Sequence, residues 1–178
     1  MPTTESERTV PTGAIATAMA MVEALHGRDD VRPPDEVVAE ISAAVDIWGR
    51  ETITEAFGLL IYTIMNVVKP EPGTEDNLHL VVPAVLTRFH LMQMSEVPDE
   101  ALPTVAGLLT AACFGQGPYE WRTSLGPIPD GEALVWCYTA WLLVDFMDNA
   151  VFDRPGRFAQ LLNEVLATGE PDAHDDPG

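Results

Sequence analysis

Four side chains in the second half of the chain come closest, in type and spacing, to a chemical site. They recur at steps of three and four residues, so a helix would place them on one stripe: Tyr138, Trp141, Asp145 and Asp148. We call this set the aspartate stripe. Two carboxylates one turn apart can hold a divalent cation, or can divide acid and base roles between them. The stripe is therefore a candidate site for a small ligand or a cation.

The two aspartates of the stripe lie in the last turn of a predicted helix, where the helix dipole disfavours negative charge. A bound cation would compensate that charge, and so would an arginine from the next helix. Because Arg154 and Arg157 follow closely in the sequence, we favour structural pairing of Asp145 and Asp148 with an arginine over a metal site. We expect both carboxylates to be partly buried.

A long connection is the second candidate. Residues 115–131 are rich in glycine and proline, and connections of this length without regular structure often bind a ligand or partner. They contain two aromatic rings, a carboxylate and a guanidinium, a mixture that is enriched at protein contacts: Tyr119, Glu120, Trp121 and Arg122. The alternative is that Tyr119 and Trp121 only pack the connection onto the protein and leave Arg122 exposed.

No catalytic motif accompanies these candidates. Cys113 and Cys137 have neither metal-site spacing nor a neighbouring cation that would favour the thiolate. The serines lie in no Gly-x-Ser-x-Gly turn, and the positions three and four after His90 hold Gln93 and Met94 instead of a second metal ligand. We therefore assign no catalytic residue, no metal ligand and no cofactor, and the sequence favours a protein that is not an enzyme.

The elements that would position these residues are helices. Apolar residues recur at helical spacing from residue 12 to residue 168, and no stretch alternates with the period of a strand. Start and stop signals divide this span into seven predicted helices: 12–26, 35–48, 53–68, 83–95, 103–114, 130–149 and 155–168. Pro83 suits the first turn of the fourth of these helices.

Two of the predicted helices should be central. Residues 56–68 carry no charge, and residues 133–144 are apolar on every face, so each needs neighbours on all sides. The sequence therefore predicts an all-α, single-domain helical bundle or orthogonal array of six to seven helices around a central apolar helix.

The ends of the chain differ from its middle. Residues 1–11 are polar, and residues 169–178 carry four acids and no Lys or Arg. Neither segment has enough apolar surface to order itself. We expect a mobile N-terminal segment at 1–11, one helical domain at 12–168 and a mobile acidic tail at 169–178.

The charge of the chain disfavours two classes of partner. The chain has 28 Asp and Glu against 9 Lys and Arg, a formal charge of −19 at pH 7. This excess disfavours direct binding to nucleic acid and to an anionic membrane surface. With two widely spaced cysteines and no basic segment leading into an apolar one at the start, we expect a cytoplasmic protein.

The predicted helix 83–95 has apolar residues on more of its surface than packing on one side requires. On helix 83–95, Leu91 and Met94 point away from the main apolar stripe. Packing of this helix on two sides within one bundle would explain this, and so would a homodimer whose contact includes this helix or 130–149, which we favour. We therefore expect a non-enzymatic protein–protein interaction or accessory module that self-associates.

Two alternative functions remain open at the level of sequence. One is a helical enzyme that binds a small ligand or a divalent cation at the aspartate stripe. The other is an acidic decoy that occupies a basic, nucleic-acid-binding protein, for which the charge of −19 is the argument.

Overall fold

The computed structural model describes residues 9–26, 33–67, 78–92, 97, 99–151 and 156–168. These residues form helices and no strand, which confirms the predicted all-α class. The α-helices in chain order are α1 (Thr12–Leu25), α2 (Pro34–Trp48), α3 (Arg50–Val67), α4 (Leu78–Met92), α5 (Leu102–Cys113), α6 (Pro118–Thr123), α7 (Glu132–Phe146) and α8 (Arg157–Thr168). A 3₁₀ turn at Asp99–Ala101 precedes α5, and a π-helical turn at Met147–Val151 extends α7.

Helices α3 and α7 form the centre of the fold. They pack against each other, α1 packs on both, α2, α5 and α6 contact α3, and α4 contacts α7 and α5. From Glu132 to Val144 every residue of α7 is buried except the half-buried Trp141. A helix that is apolar on every face has no side that it can turn to water. The prediction that the uncharged residues 56–68 and the apolar residues 133–144 belong to central helices is confirmed for 56–67 and 133–144, and Val68 lies outside the described residues.

Glycines allow the helices around this centre to approach closely. A Cβ atom on Gly58 of α3 would lie 2.5 Å from Cζ3 of Trp136 on α7 and 3.2 Å from Cβ of Pro118. On α5, a Cβ atom on Gly107 would lie 2.7 Å from Cζ2 of Trp121. Because close-packed interiors leave no room for a carbon atom at such distances, each tryptophan position requires a glycine opposite it.

Two local predictions are wrong. Helix α4 begins at Leu78, so Pro83 lies inside the helix and not in its first turn. Residues 115–131 are not irregular throughout, because α6 occupies Pro118–Thr123. Pro118 at the first position of α6 already has the φ angle of a helix. The glycines and prolines around it nevertheless favour a loop when only the sequence is considered.

Several predictions fall outside the described residues. These are the mobility predicted for residues 1–8 and 169–178, and the positions of Arg154 and Met94. Within the described ranges, no helix is both long enough and apolar enough to cross a membrane.

The contact between Gly58 and Trp136 can be tested by mutation. We expect Gly58→Ala to lower the free energy of unfolding by about 1–2 kcal/mol, because overpacking at a buried tryptophan outweighs the better helix propensity of alanine. The matched control is Gly117→Ala, since nothing lies within 4 Å of a Cβ atom there and φ is −59°. Urea unfolding measures both variants. Equal stability of Gly58→Ala and wild type would contradict the close contact.

Candidate functional site

Asp148 is fully buried in the π-helical turn after α7 and joins three parts of the chain. Its Oδ2 atom lies 2.6 Å from Nε2 of His26, the residue that follows α1, and 2.7 Å from the backbone nitrogen of Gly156. Its Oδ1 atom accepts from the backbone N–H of Phe158 at 2.7 Å. A carboxylate oxygen accepts hydrogen bonds, so this contact requires the imidazole tautomer that has its N–H at Nε2 of His26.

The two backbone amides belong to the start of α8, where the first N–H groups of a helix have no partner within it. Asp148 therefore caps α8 from a distance, and its negative charge lies at the positive end of the α8 dipole. Its three hydrogen-bond partners among the described residues are all donors, whereas a hard divalent cation needs oxygen ligands. Within the described residues, no group of three or more His, Cys, Asp or Glu is arranged to hold a metal ion.

Asp145, unlike the buried Asp148, lies at the surface of the protein. Nη2 of Arg88 on α4 donates to its Oδ2 at 3.0 Å, and the Asn149 amide donates to its Oδ1 at 3.0 Å. The side chains of Arg88 and Asp145 are 57% and 27% exposed. The predicted pairing with an arginine is thus found for Asp145, but the arginine is Arg88 and not Arg157. Among the described residues, Asp148 binds His26 and the start of α8 and not Arg157, while its predicted pairing with Arg154 lies outside them.

The two aromatic members of the aspartate stripe pack on each other. Tyr138 is buried and Trp141 half-buried, and their rings meet edge to face with centroids 6.3 Å apart and an angle of 64° between their planes. This is the usual geometry of aromatic packing. The stripe therefore divides into core residues and a surface ion pair, and its four members do not form one open site.

Arg122 is the most completely bound residue of the second candidate. Its Nε and Nη2 atoms donate to Oε1 and Oε2 of Glu132 at 2.5 and 2.7 Å, and both side chains are 6% exposed. Nη1 also donates to the Gly126 carbonyl at 2.7 Å, and Nη2 to the Pro127 carbonyl at 2.9 Å. The alternative in which Arg122 is exposed is wrong, because Glu132 at the start of α7 matches the guanidinium bidentately.

The other three candidate residues of segment 115–131 differ in their exposure. Trp121 is half-buried and lies over Gly107, Glu120 is exposed, and the side chain of Tyr119 lies outside the part that the structure describes. Arg122 and Trp121 thus attach residues 115–131 to α5 and α7.

Sequence reasoning missed the partners of these residues. His26 is 122 positions from Asp148, and Arg88 is 57 positions from Asp145. Such pairs carry no local signal, because only the packing of the helices brings them together. Glu132 lies just 10 positions from Arg122, but nothing in the sequence shows that both are buried.

The outer side of α4 is a further candidate surface, because it exposes large apolar side chains and carries no acid. Leu80 is 60% exposed and Leu91 is 68% exposed, and three helical turns separate them, so they lie on the same side. We call this surface the α4 face, and its members are Leu80, Pro83, Ala84, Thr87 and Leu91. No Asp or Glu occurs in α4. Beside the face, an open groove of about 420 Å³ extends to Leu142, Asp145 and Phe146.

Comparison with protein-family models, curated proteins and solved structures finds no match to this chain.

The capping role of Asp148 can be separated from the surface role of Asp145. We expect Asp148→Asn to lower the free energy of unfolding by about 2–4 kcal/mol, because the new NH₂ group faces backbone donors in a buried position. The matched control Asp145→Asn should cost less than about 1 kcal/mol, since exposed ion pairs contribute little. Chemical denaturation measures both. In Asp148→Asn, hydrogen exchange should also accelerate in α8 before it does in α3. Equal losses in the two variants would contradict the assignment.

The buried pair of Arg122 and Glu132 predicts strong coupling between the two positions. Arg122→Met alone should cost about 3–5 kcal/mol, because it leaves a buried carboxylate without its partner. Adding Glu132→Leu should restore most of the loss, since the carbonyl groups of Gly126 and Pro127 lie in exposed residues that water can reach. A double-mutant cycle by urea unfolding measures the coupling. A double variant as unstable as Arg122→Met would contradict this prediction.

Proposed function

We propose that the protein is a non-enzymatic interaction module that self-associates, with the α4 face as the contact between two copies. The observation that carries this proposal is the exposure of Leu80 and Leu91 on one side of a helix without acids. Large apolar residues grouped on an exposed surface are typical of protein contacts.

Charge supports this location for a contact between identical copies. Two chains of −19 each repel one another, so a stable contact requires a surface on which acids without a neighbouring cation are absent. Helix α4 contributes His79, Arg88 and His90 and no acid. The charge of Arg88 is matched within its own chain by Asp145.

The shape of the surface supports a symmetric pair. In a twofold dimer the same patch serves both copies. Ala84 and Thr87 are small and lie between the two leucines, so two α4 helices can cross closely there. The groove beside the α4 face is lined by Leu142 and Phe146 and offers an apolar place for a leucine from the second copy.

The proposed contact must extend into the groove to reach the area of a stable interface. A stable interface buries roughly 800 Å² on each partner, which is more than the outer side of one short helix provides. We therefore include the α7 side of the groove, near Phe146, in the proposed contact.

The proposal is tested by sedimentation velocity over a wide range of protein concentration. Wild type should form a dimer, and Leu80→Glu with Leu91→Glu should raise the dimer dissociation constant by at least about a hundredfold, because each copy would bring buried charges into the contact. The matched control is Ile47→Glu on α2, where an isoleucine is 72% exposed and lies outside the contact.

Circular dichroism should show the same helical content in all three proteins, since the substituted positions are exposed. A wild type that is monomeric at every concentration would refute self-association. A dimer that survives the double substitution would refute the assignment to the α4 face.

A further inference from the structure

Residues 115–131 line two cavities that have the side chain of Trp136 in common. In the first cavity, of about 170 Å³, Arg122 and Ile128 are among the residues of this segment that contribute to the wall. In the second cavity, of about 410 Å³, Pro129 is among them. Trp136 of α7 lines both cavities and is 1% exposed. The segment therefore separates a buried tryptophan from solvent on two sides.

The segment itself is buried only to a small depth. Among the residues of 115–131 whose side chains the structure describes, Arg122 is the one that is buried. Its apolar contacts come from the half-buried Pro118, Trp121 and Ile128. In α7, by contrast, nearly every side chain is buried. A region with few buried apolar contacts opens at a lower free energy than the core of the same protein.

The ion pairs of the segment add little net resistance to its opening. Arg122 and Glu132 leave water when the segment packs on α7, and the cost of removing two charges from water offsets much of their attraction. Opening returns both charges to water. The second ion pair joins Asp130 to Arg50 of α3, and its side chains are 86% and 48% exposed. Exposed pairs of this kind contribute little to stability.

Both ends of the segment have a backbone that can turn. Gly115 has a φ angle of 74° and Gly131 a φ angle of 85°. Glycine adopts positive and negative φ at similar cost, and hinges are a few terminal residues that absorb such changes. The segment can therefore rotate about these two glycines while α5 and α7 keep their positions.

Two polar groups behind the segment favour the entry of water. Oγ1 of Thr54 and Nε1 of Trp136 are buried and have no hydrogen-bond partner. Thr54 lines the first cavity, and Trp136 lines both. A buried polar group without a partner lacks the hydrogen bonds that water would give it. For Trp136 this holds whichever of the two cavities its indole nitrogen faces, because residues 115–131 line both.

We propose that residues 115–131 form a lid, which opens as one unit about Gly115 and Gly131 while the other helices stay folded. The open lid admits water and small molecules to Trp136. The lid is separate from the α4 face, and either proposal can fail without the other.

The test is hydrogen exchange of the ¹⁵N-labelled full chain in its native state, followed by NMR at several low urea concentrations. The lid reporters are the indole N–H of Trp136, assigned by its loss in Trp136→Phe, and the backbone N–H groups of Trp121, Ser124 and Leu125, which donate within the segment. These four protons should share one opening constant, at least about a hundredfold larger than that of the α7 amides. It should depend weakly on urea, because opening of the lid exposes little surface.

A matched pair of glycine variants separates opening of the lid from unfolding of the whole protein. Gly126 in the lid has φ +87°, Gly49 between α2 and α3 has φ +83°, and nothing lies within 4 Å of a Cβ atom at either. Alanine strains the backbone at both positions without a clash. Gly126→Ala should raise the opening constant of the four lid reporters about fivefold or more, because opening relieves the strain. Gly49→Ala should leave them unchanged and accelerate only the amides that exchange by global unfolding.

Four results would overturn the proposal. Exchange of the Trp136 indole together with the α7 amides would mean that nothing short of global unfolding exposes it. Fast exchange that does not respond to Gly126→Ala would mean that water reaches the indole through a closed segment. Fast exchange of the Trp121 amide without that of the Trp136 indole would mean that the segment opens without uncovering the tryptophan. Acceleration of the lid reporters in Gly49→Ala would show that the opening extends beyond the lid.

Discussion

A helix with apolar side chains in every direction is stable in water only when other helices enclose it, and α7 is such a helix. This constraint explains the arrangement of α1, α3 and α4 around it. It also explains Gly58, since α3 can lie against the buried ring of Trp136 only where it has no side chain. A cavity of about 170 Å³ lies beside this contact, and Thr54 and Trp136 are among the residues that line it.

A buried acid stands at each end of α7, and each one attaches the next part of the chain. Glu132, at the first position, accepts a bidentate contact from Arg122, while Asp148 follows the last turn and accepts from His26 and the start of α8. A buried charge is tolerated only when it is paired and hydrogen-bonded. The polar ends of this buried helix therefore determine where residues 115–131 and α8 attach.

The all-α class and the central helices could be predicted because a run without charges is a local property of the sequence, as in residues 133–144. The aspartate stripe could be predicted only in part. Its spacing assumes α-helical pitch to the end, but the chain changes to a π-helical turn after Phe146, and a wider turn moves Asp148 off the stripe. The capping of α8 and the partners of Arg122 depend on contacts between helices, for which no local pattern exists.

The bonds of Asp148 have a consequence for cooperativity. Helix α8 has 12 residues, and a helix of this length is marginal by itself in water. Its first amide groups find their acceptor in Asp148 at the end of α7, and His26 after α1 contacts the same carboxylate. Opening of α1 or of α8 would therefore leave the buried carboxylate of Asp148 without part of its hydrogen-bond partners. One buried carboxylate thus couples the two ends of this fold, so they should unfold together and not as independent segments.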